Sequence, residues 1–342
     1  MTTKTALILG ATGGIGGEVA RNLVRRGWQV RALARTAPVG LRGGIDWMRG
    51  DALDAGAVRR AAEGASLIVH GVNPPGYRHW SRLVLPMMDN TLAAARAAGG
   101  ARVLLPGTVY NYGPDAFPCI GEDAPQRPLT RKGRIRVEME RRLEEATARG
   151  DVLALIVRAG DFFGPRAGGN WFGQVLVKPG RPPDVLTYPG RAGVGHQWAY
   201  LPDVAETMAR LVERDDLPAF ARFHMDGQWD GDGTQMIAAL RRVLNAPDLP
   251  VKPLPWTLMR LTSPVVPLFR ELMEMRYLWQ QPVRLDNARL RALLGEEPRT
   301  PLDEAVRATL VGLGCGTDEL TPARPAAQVS AGTPARAARG SR

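Results

Sequence analysis

The sequence predicts an α/β protein: a doubly wound parallel sheet followed by a smaller, partly helical C-terminal lobe. Three observations predict it. Apolar, strand-like runs alternate with helical patterns through the first two-thirds of the chain. The first run, Thr5-Ala6-Leu7-Ile8-Leu9, breaks directly into Gly10-Ala11-Thr12-Gly13-Gly14-Ile15-Gly16. After about residue 160 the alternation loosens into Gly- and Pro-rich loops between short elements. Strands alternating with helices make βαβ units, and their right-handed crossovers give a parallel sheet covered by helices.

Taken in order, the expected strands are 5–9, 28–33, 45–48, 66–70, 101–106 and 152–157, with helices between them at 15–26, 54–63, 80–98 and 134–149. Later helices are expected at 203–213, 232–245, 256–276, 286–294 and 302–312. The organisation read from this is a first domain over 1–160, a lobe over 161–320 with the chain crossing between the two, and a disordered basic tail at 321–342. The tail carries Arg324, Arg336, Arg339 and Arg342 with no acid between Ala323 and Arg342, among Ala, Pro, Gly and Ser.

Composition bounds the function. With 342 residues and 44% hydrophobic content, the chain can bury a large core. No apolar run is long enough to cross a bilayer, and residues 5–9 are too short for a signal-peptide core. A cytoplasmic protein with no membrane partner is therefore expected. Cys119 and Cys315 suggest neither a disulfide framework nor a metal centre. The net charge of +11 is carried partly by the tail and otherwise by arginines interleaved with acids, as in Glu138-Met139-Glu140-Arg141-Arg142, so no nucleic-acid partner is expected. The only lysines are Lys4, Lys132, Lys178 and Lys252.

The glycine turn carries the first chemistry. Free N–H groups at a helix N-terminus attract phosphate oxygens, and glycine is needed where backbone must approach a pyrophosphate or pack helix on strand. A strand, three glycines spaced by three and a helix start at the N-terminus together predict a dinucleotide site. The end of the second strand reads Leu33-Ala34-Arg35, with no acid to take the ribose hydroxyls. An arginine there can hold a 2′-phosphate, so NADP(H) is expected over NAD(H). Asp51, after the third strand, is read either as a contact to the adenine or as the cap of the helix near Asp54.

These pieces, together with Gly50-Asp51, Ile68-Val69-His70-Gly71-Val72-Asn73, Asn90, Arg102 to Gly113, Arg158 to Pro165 and Tyr200-Leu201-Pro202-Asp203-Val204-Ala205, resemble the extended short-chain dehydrogenase/reductase family in its epimerase/dehydratase-like branch, over residues 4–315. The resemblance implies a Rossmann-like sheet and a C-terminal substrate lobe. It implies a cofactor set of Gly10, Thr12, Gly13, Gly14, Ile15, Gly16, Arg35, Asp51, Ala52, Gly71, Val72, Asn73, Arg136 and Ala159. It also implies a small-molecule substrate and a homodimer through helices 80–98 and 134–149.

In that family a Ser or Thr, a Tyr and a Lys carry proton transfer. Thr108 occupies the hydroxyl position, and in Thr130-Arg131-Lys132-Gly133-Arg134-Ile135-Arg136 Lys132 falls where the tyrosine belongs and Arg136 where the lysine belongs. Three readings stand side by side. Lys132 replaces the tyrosine as acid/base, with Arg136 on the ribose; a lysine can give up a proton where an arginine cannot. Alternatively another tyrosine (Tyr110, Tyr112, Tyr77 or Tyr200) supplies the phenol. In the third reading acid/base catalysis is absent, and the protein transfers hydride alone to an activated substrate or only binds NADP(H) as a sensor.

On the substrate side, the family arginine before the Asp-Val-Ala helix is replaced by His196, a poor phosphate ligand when neutral. Asn170 matches a family asparagine, and Arg284 offers a second basic contact. Aromatic residues crowd the expected pocket loops, and Tyr77, His79, Asn170 and His196 are taken as substrate contacts. His70 and His224 read as structural. The expected activity is an NADP(H)-dependent oxidoreductase of a small apolar or aromatic carbonyl or alcohol; a sugar epimerase/dehydratase is the alternative.

Overall fold

The computed structural model describes residues 4–36, 40–74 and 79–316. Tyr77 and the 321–342 segment lie outside them. In chain order the elements run β1 (Thr5–Leu9), α1 (Gly14–Arg25), β2 (Gln29–Ala34), β3 (Gly40–Arg42), β4 (Ile45–Arg49), α2 (Ala55–Ala61), β5 (Leu67–His70), α3 (Trp80–Ala97), β6 (Arg102–Gly107), β7 (Cys119–Ile120), α4 (Arg131–Ala148) and β8 (Leu153–Arg158). Then come β9 (Asp161–Phe163), β10 (Leu186–Tyr188), β11 (His196–Tyr200), α5 (Leu201–Val212), β12 (Phe220–His224), β13 (Gln228–Asp230), α6 (Gln235–Val243), β14 (Val251–Pro253), α7 (Trp256–Thr262), α8 (Pro267–Met273), β15 (Arg284–Leu285), α9 (Ala288–Leu294) and α10 (Leu302–Gly312).

The central sheet has the order β12-β8-β6-β5-β1-β2-β4-β3. Every pairing is parallel except β3 with β4. Strand order reverses at β1, whose neighbours are β2 and β5, so the crevice for a ligand opens there. Both faces are covered, which is why the strands are apolar throughout rather than alternating with polar residues. In β1, Ala6 and Ile8 join one core with Val19, Leu23 and Met208, while Leu7 and Leu9 join the opposite core with Val58, Val84 and Met139. Helix α5 packs on α1, and β12 returns from the later part of the chain to lie beside β8.

A third core, around Phe163, Phe172, Trp198, Met236 and Trp279, is built mainly by the later chain, with Val109, Tyr112 and Ile120 joining it from the earlier part. Strands of three small sheets, β13-β11-β9, β10-β14 and β15-β7, contribute residues to it.

Two expectations are corrected. Helix α4 begins at Arg131, three residues before the expected start, because the Thr130 hydroxyl caps it by accepting from the Gly133 amide at 3.0 Å. That places Lys132 in the first turn. The single helix expected over 256–276 is two, α7 and α8, with Pro267 opening the second and a further 3-10 turn at Arg276–Trp279.

Candidate dinucleotide and catalytic site

The turn after β1 is built by backbone contact. Gly10 takes φ +91°, and a Cβ on it would lie 2.5 Å from the Gly71 carbonyl oxygen. A Cβ on Gly16 would lie 2.3 Å from the Gly10 carbonyl oxygen. The Gly13 amide donates to that oxygen at 2.9 Å and closes the turn. Gly13 is the N-cap of α1 without a side-chain cap, and the first turn carries no acid, so its amides face the turn with their positive end uncompensated.

The turn forms one wall of a cleft of about 210 Å³. Gly10, Thr12 and Gly13 line it from the turn, Arg35 from the end of β2, Asp51 and Ala52 from beyond β4, and Gly71, Val72 and Asn73 from beyond β5. The structure thus brings most of the expected cofactor residues to one place. Four lie elsewhere in the neighbourhood. Gly16 sits beneath Gly10, Gly14 packs toward Ala167, and Ile15 and Ala159 pack into the core. The cap of α2 is Asp54, whose carboxylate accepts from the Ala57 amide at 3.0 Å. Asp51 accepts from the Leu53 amide at 3.0 Å and stays on the cleft wall. Asn90 donates to the Ala52 carbonyl at 2.9 Å and fixes that wall.

Arg136 reaches the cleft from α4. Its guanidinium donates to Asn73 Oδ1 at 3.2 Å and stacks over Trp80 at 5.3 Å. His70 lies behind, at the end of β5. Its Nδ1 bonds Thr91 Oγ1 at 2.8 Å, and the Thr91 hydroxyl donates onward to the Met87 carbonyl, so Nδ1 carries the proton. Burial, aided by the Arg136 charge, lowers the His70 pKa to about 3. The unfolded chain then binds a proton that the folded chain refuses, from pH 6.5 down to about 3. This contribution to stability is present above pH 6.5, and on the order of 3 kcal/mol of it is lost by pH 4. Urea unfolding at several pH values checks it. His70→Gln is expected to reduce the slope of stability between pH 6.5 and pH 4 by about one proton, and an unaltered slope rules the assignment out.

Thr108 follows β6 and caps the 3-10 turn Val109–Asn111. The Tyr110 amide donates to its hydroxyl oxygen, and the hydroxyl contacts Asn111 Oδ1, both at 3.3 Å. A buried polar network braces this turn. Glu140 accepts from Arg158 at 2.8 Å, from Asn111 at 3.0 Å and from Gln126 at 2.7 Å. Arg158 also donates to the Thr108 carbonyl and, at 3.2 Å, to His224 Nε2. His224 Nδ1 meets the Ile120 carbonyl at 3.1 Å, so the ring is neutral with its proton on Nδ1. Burial, then the Arg158 charge, holds its pKa well below the usual range. Asn111, Gln126 and Glu140 were not singled out from the sequence.

Lys132 occupies the first turn of α4, 1% exposed. Its ammonium donates to the Glu271 carbonyl at 3.1 Å and to Glu274 Oε2 at 3.2 Å, and it forms an ion pair with the Glu271 carboxylate. Gly133 presses on the Tyr110 carbonyl so closely that a Cβ would lie 2.2 Å away, which joins α4 to the Thr108 turn. Of the other tyrosines, Tyr112 is fully buried beneath the Arg158 guanidinium at 5.0 Å, and burial raises its pKa. Tyr200 is raised to about 12, by burial and then by Asp203. Neither offers a phenolate near neutrality.

The expected substrate residues are scattered. His79 is exposed in a left-handed conformation, φ 55°, at the start of α3. Asn170 is used locally, donating to the Gly168 carbonyl and accepting from the Gly173 amide, both at 2.8 Å. His196 is buried, 2.9 Å from Asp161 Oδ2 and stacked on Trp279 with ring centroids 3.6 Å apart. Arg284 pairs with Asp226 at 2.7 Å. Among the described residues, no group of three or more His, Cys, Asp or Glu is placed to hold a metal, and no helix is long and apolar enough to cross a membrane.

Residues 6–221 match the NAD dependent epimerase/dehydratase family. The chain belongs to that family. A 3-diazoavenalumate denitrifying reductase from a Streptomyces species is 31% identical over 180 residues, covering 47% of this chain and 57% of that protein. The chain thus spans little more than half the length of this relative. The fold is that of MoeE5, solved with UDP-glucose and NAD (TM-score 0.71, 18% identity, 90% of this chain and 98% of that one). It is equally that of the Thermus thermophilus UDP-glucose 4-epimerase, solved with NAD (TM-score 0.68, 20% identity, 90% and 98%). Family membership and the shared fold set the frame in which the residues of the cleft are read. These residues fit a dinucleotide: Gly10, Gly13 and Gly71 line the cleft with close-packed backbone, and α1 begins there with no acid in its first turn.

Proposed function

We propose that the chain is an NADP(H)-dependent reductase of a small aromatic substrate carrying an activated electrophilic group, and that it works without the family's tyrosine-borne proton. The observation that carries this is the state of Lys132. An ammonium whose donors go to two carboxylates and a carbonyl is not presented to a substrate oxygen. The turn amides of α1 hold the pyrophosphate, Arg35 the 2′-phosphate, and Arg136 with Asn73 the nicotinamide ribose. Thr108 orients the substrate. The first domain, 1–160, binds the dinucleotide and the lobe from 161 onward binds the substrate. A cytoplasmic homodimer through α3 and α4 belongs to the same proposal.

When bound, NADP(H) supplies a hydride, and for an aryl diazonium the balance ArN2+ + H− → ArH + N2 needs no proton. The Streptomyces reductase is named for a diazo substrate, which supports this class. A carbonyl needs a proton as well as a hydride, and Lys132 could supply it only by leaving Glu271.

A nucleotide-sugar is the second reading, since MoeE5 was solved with UDP-glucose. Against it, the position of the family arginine holds His196, occupied by Asp161 and covered by Trp279.

The test uses benzenediazonium and benzaldehyde as probes, each with NADPH and with NADH. The expected result is NADPH oxidation coupled one-to-one to dinitrogen release, above the rate without protein. NADPH should be favoured over NADH by about 10-fold or more, as charge-assisted bonds from Arg35 imply. Turnover should persist in Lys132→Met, at weakened substrate affinity. Reduction of benzaldehyde alone, abolished in Lys132→Met with NADPH affinity intact, makes Lys132 the proton donor and overturns the proposal. Saturable epimerisation of UDP-glucose overturns it in favour of the second reading.

A further inference from the structure

The carboxylates on Lys132 come from far along the chain. Glu271 lies in α8 and Glu274 just beyond it, in the stretch between β14 and β15. Glu271 is 8% exposed, and its other carboxylate oxygen takes Arg131 at 3.4 Å. Two cations of the first α4 turn therefore face two carboxylates, and the cluster is neutral. The same stretch touches the Thr108 side of the site as well. The Tyr277 hydroxyl donates to the Tyr112 carbonyl at 3.2 Å, and its ring stacks on Phe117 with centroids 6.2 Å apart. Residues 267–279 thus bridge both elements that carry the expected catalytic positions, Thr108 on one and Lys132 and Arg136 on the other.

We propose that Glu271 and Glu274 are positioning residues of the reaction site: through Lys132 they clamp residues 267–279 across the Thr108 turn and the start of α4, closing the nicotinamide end to water. This rests on the reductase reading above. A buried ion pair adds little stability over an apolar pair of the same volume, whereas breaking it leaves a buried charge. Such a pair suits a clamp, because closure depends on both partners meeting. It also answers why a lysine stands in an arginine-rich chain at this position. A compact ammonium fits between one carbonyl and two carboxylates where a planar guanidinium would not.

Hydrogen exchange followed by mass spectrometry on the full chain tests the clamp, with acrylamide quenching of bound NADPH fluorescence as a second readout. In Glu271→Gln/Glu274→Gln, amides of 256–279 are expected to exchange ~10-fold faster or more while the central sheet keeps its protection. Quenching of the bound dihydronicotinamide should rise, and the KM for benzenediazonium should increase ~10-fold. The apolar pair Lys132→Met/Glu271→Met is expected to regain most of the protection, which guards against a variant that merely misfolds. Wild-type exchange and quenching in Glu271→Gln/Glu274→Gln overturn the clamp. If the exchange opens as expected but the wild type does not reduce benzenediazonium, the reductase reading fails and the clamp stands; the reverse pattern removes the clamp and leaves the reading.

Discussion

Glu140→Leu is expected to destabilise the fold by about 3–5 kcal/mol, the cost of leaving a buried charge without its partner. Arg158 is 0% exposed, so it cannot recover hydration by turning outward. Burial alone would lower its pKa, but the adjacent Glu140 carboxylate more than offsets this and the net direction is upward. The variant loses that support, but a guanidinium does not give up its proton in proteins, so Arg158 stays charged there without a counter-ion. Gln126 loses its Glu140 acceptor at the same time, and Asn111 keeps only its bond to Gln126 Oε1. Because Arg158 also holds the Thr108 carbonyl, the turn carrying Thr108 and Tyr110 should loosen, and turnover should fall further than the change in stability alone explains. Urea unfolding and a Tm lower by about 10 °C provide the check. The double variant Glu140→Leu/Arg158→Leu should recover at least about half of the loss, since an apolar pair removes the stranded charge. A loss below about 1 kcal/mol in the single variant, typical of a surface pair, would show that this network does not brace the site.

The contrast between what was legible and what was not follows the range of the interactions. Six of the eight strands of the central sheet lie within about one residue of their expected positions, because a strand buried on both faces leaves a continuous apolar run bounded by polar turns; the edge strands β3 and β12 are not among the expected ones. The cleft walls at Gly10, Arg35, Asp51 and Asn73 were legible for a related reason. Each follows directly on a strand end, and strand ends in a parallel sheet converge on the crevice.

The early start of α4 was also written locally, in Thr130 three residues before Gly133, as was the break at Pro264 and Pro267. Reading the apolar periodicity alone passed over both. What no local pattern could reveal is pairing across long separations. Glu271 meets Lys132 across 139 residues, and Trp279 covers His196 across 83. The His196–Asp161 contact requires the parallel pairing of β9 with β11. The substrate side was accordingly the least legible, because its residues depend on how the later chain folds back rather than on any one element.

Gly10→Ala is expected to abolish dinucleotide binding, with a loss of at least about 100-fold in NADPH affinity, equivalent to about 3 kcal/mol. Two effects act together. At φ +91° an L side chain is strained by about 1–2 kcal/mol. In addition the new Cβ would lie 2.5 Å from the Gly71 oxygen and 2.9 Å from the Val72 nitrogen. These are backbone atoms, and Gly71 is itself tied to β1 through its amide bond to the Leu9 carbonyl at 2.9 Å, so neither side can give way without parting β1 from β5. Since Gly71 and Val72 also form the cleft wall, relief of the clash distorts the site directly. Gly16→Ala should behave similarly, its Cβ falling 2.3 Å from the Gly10 oxygen. Gly13→Ala separates the two contributions. Its Cβ meets only the Gly10 oxygen, at 3.3 Å, so the fold should lose less than about 1 kcal/mol while the methyl still intrudes where the pyrophosphate approaches. Fluorescence titration with NADPH, read beside thermal unfolding, gives both quantities for the three variants. The expected order of Tm is Gly13→Ala well above Gly10→Ala and Gly16→Ala, with affinity lowered in all three. Wild-type affinity and Tm in Gly10→Ala would mean that the turn does not hold the phosphates, and the site would have to be sought elsewhere along the strand ends.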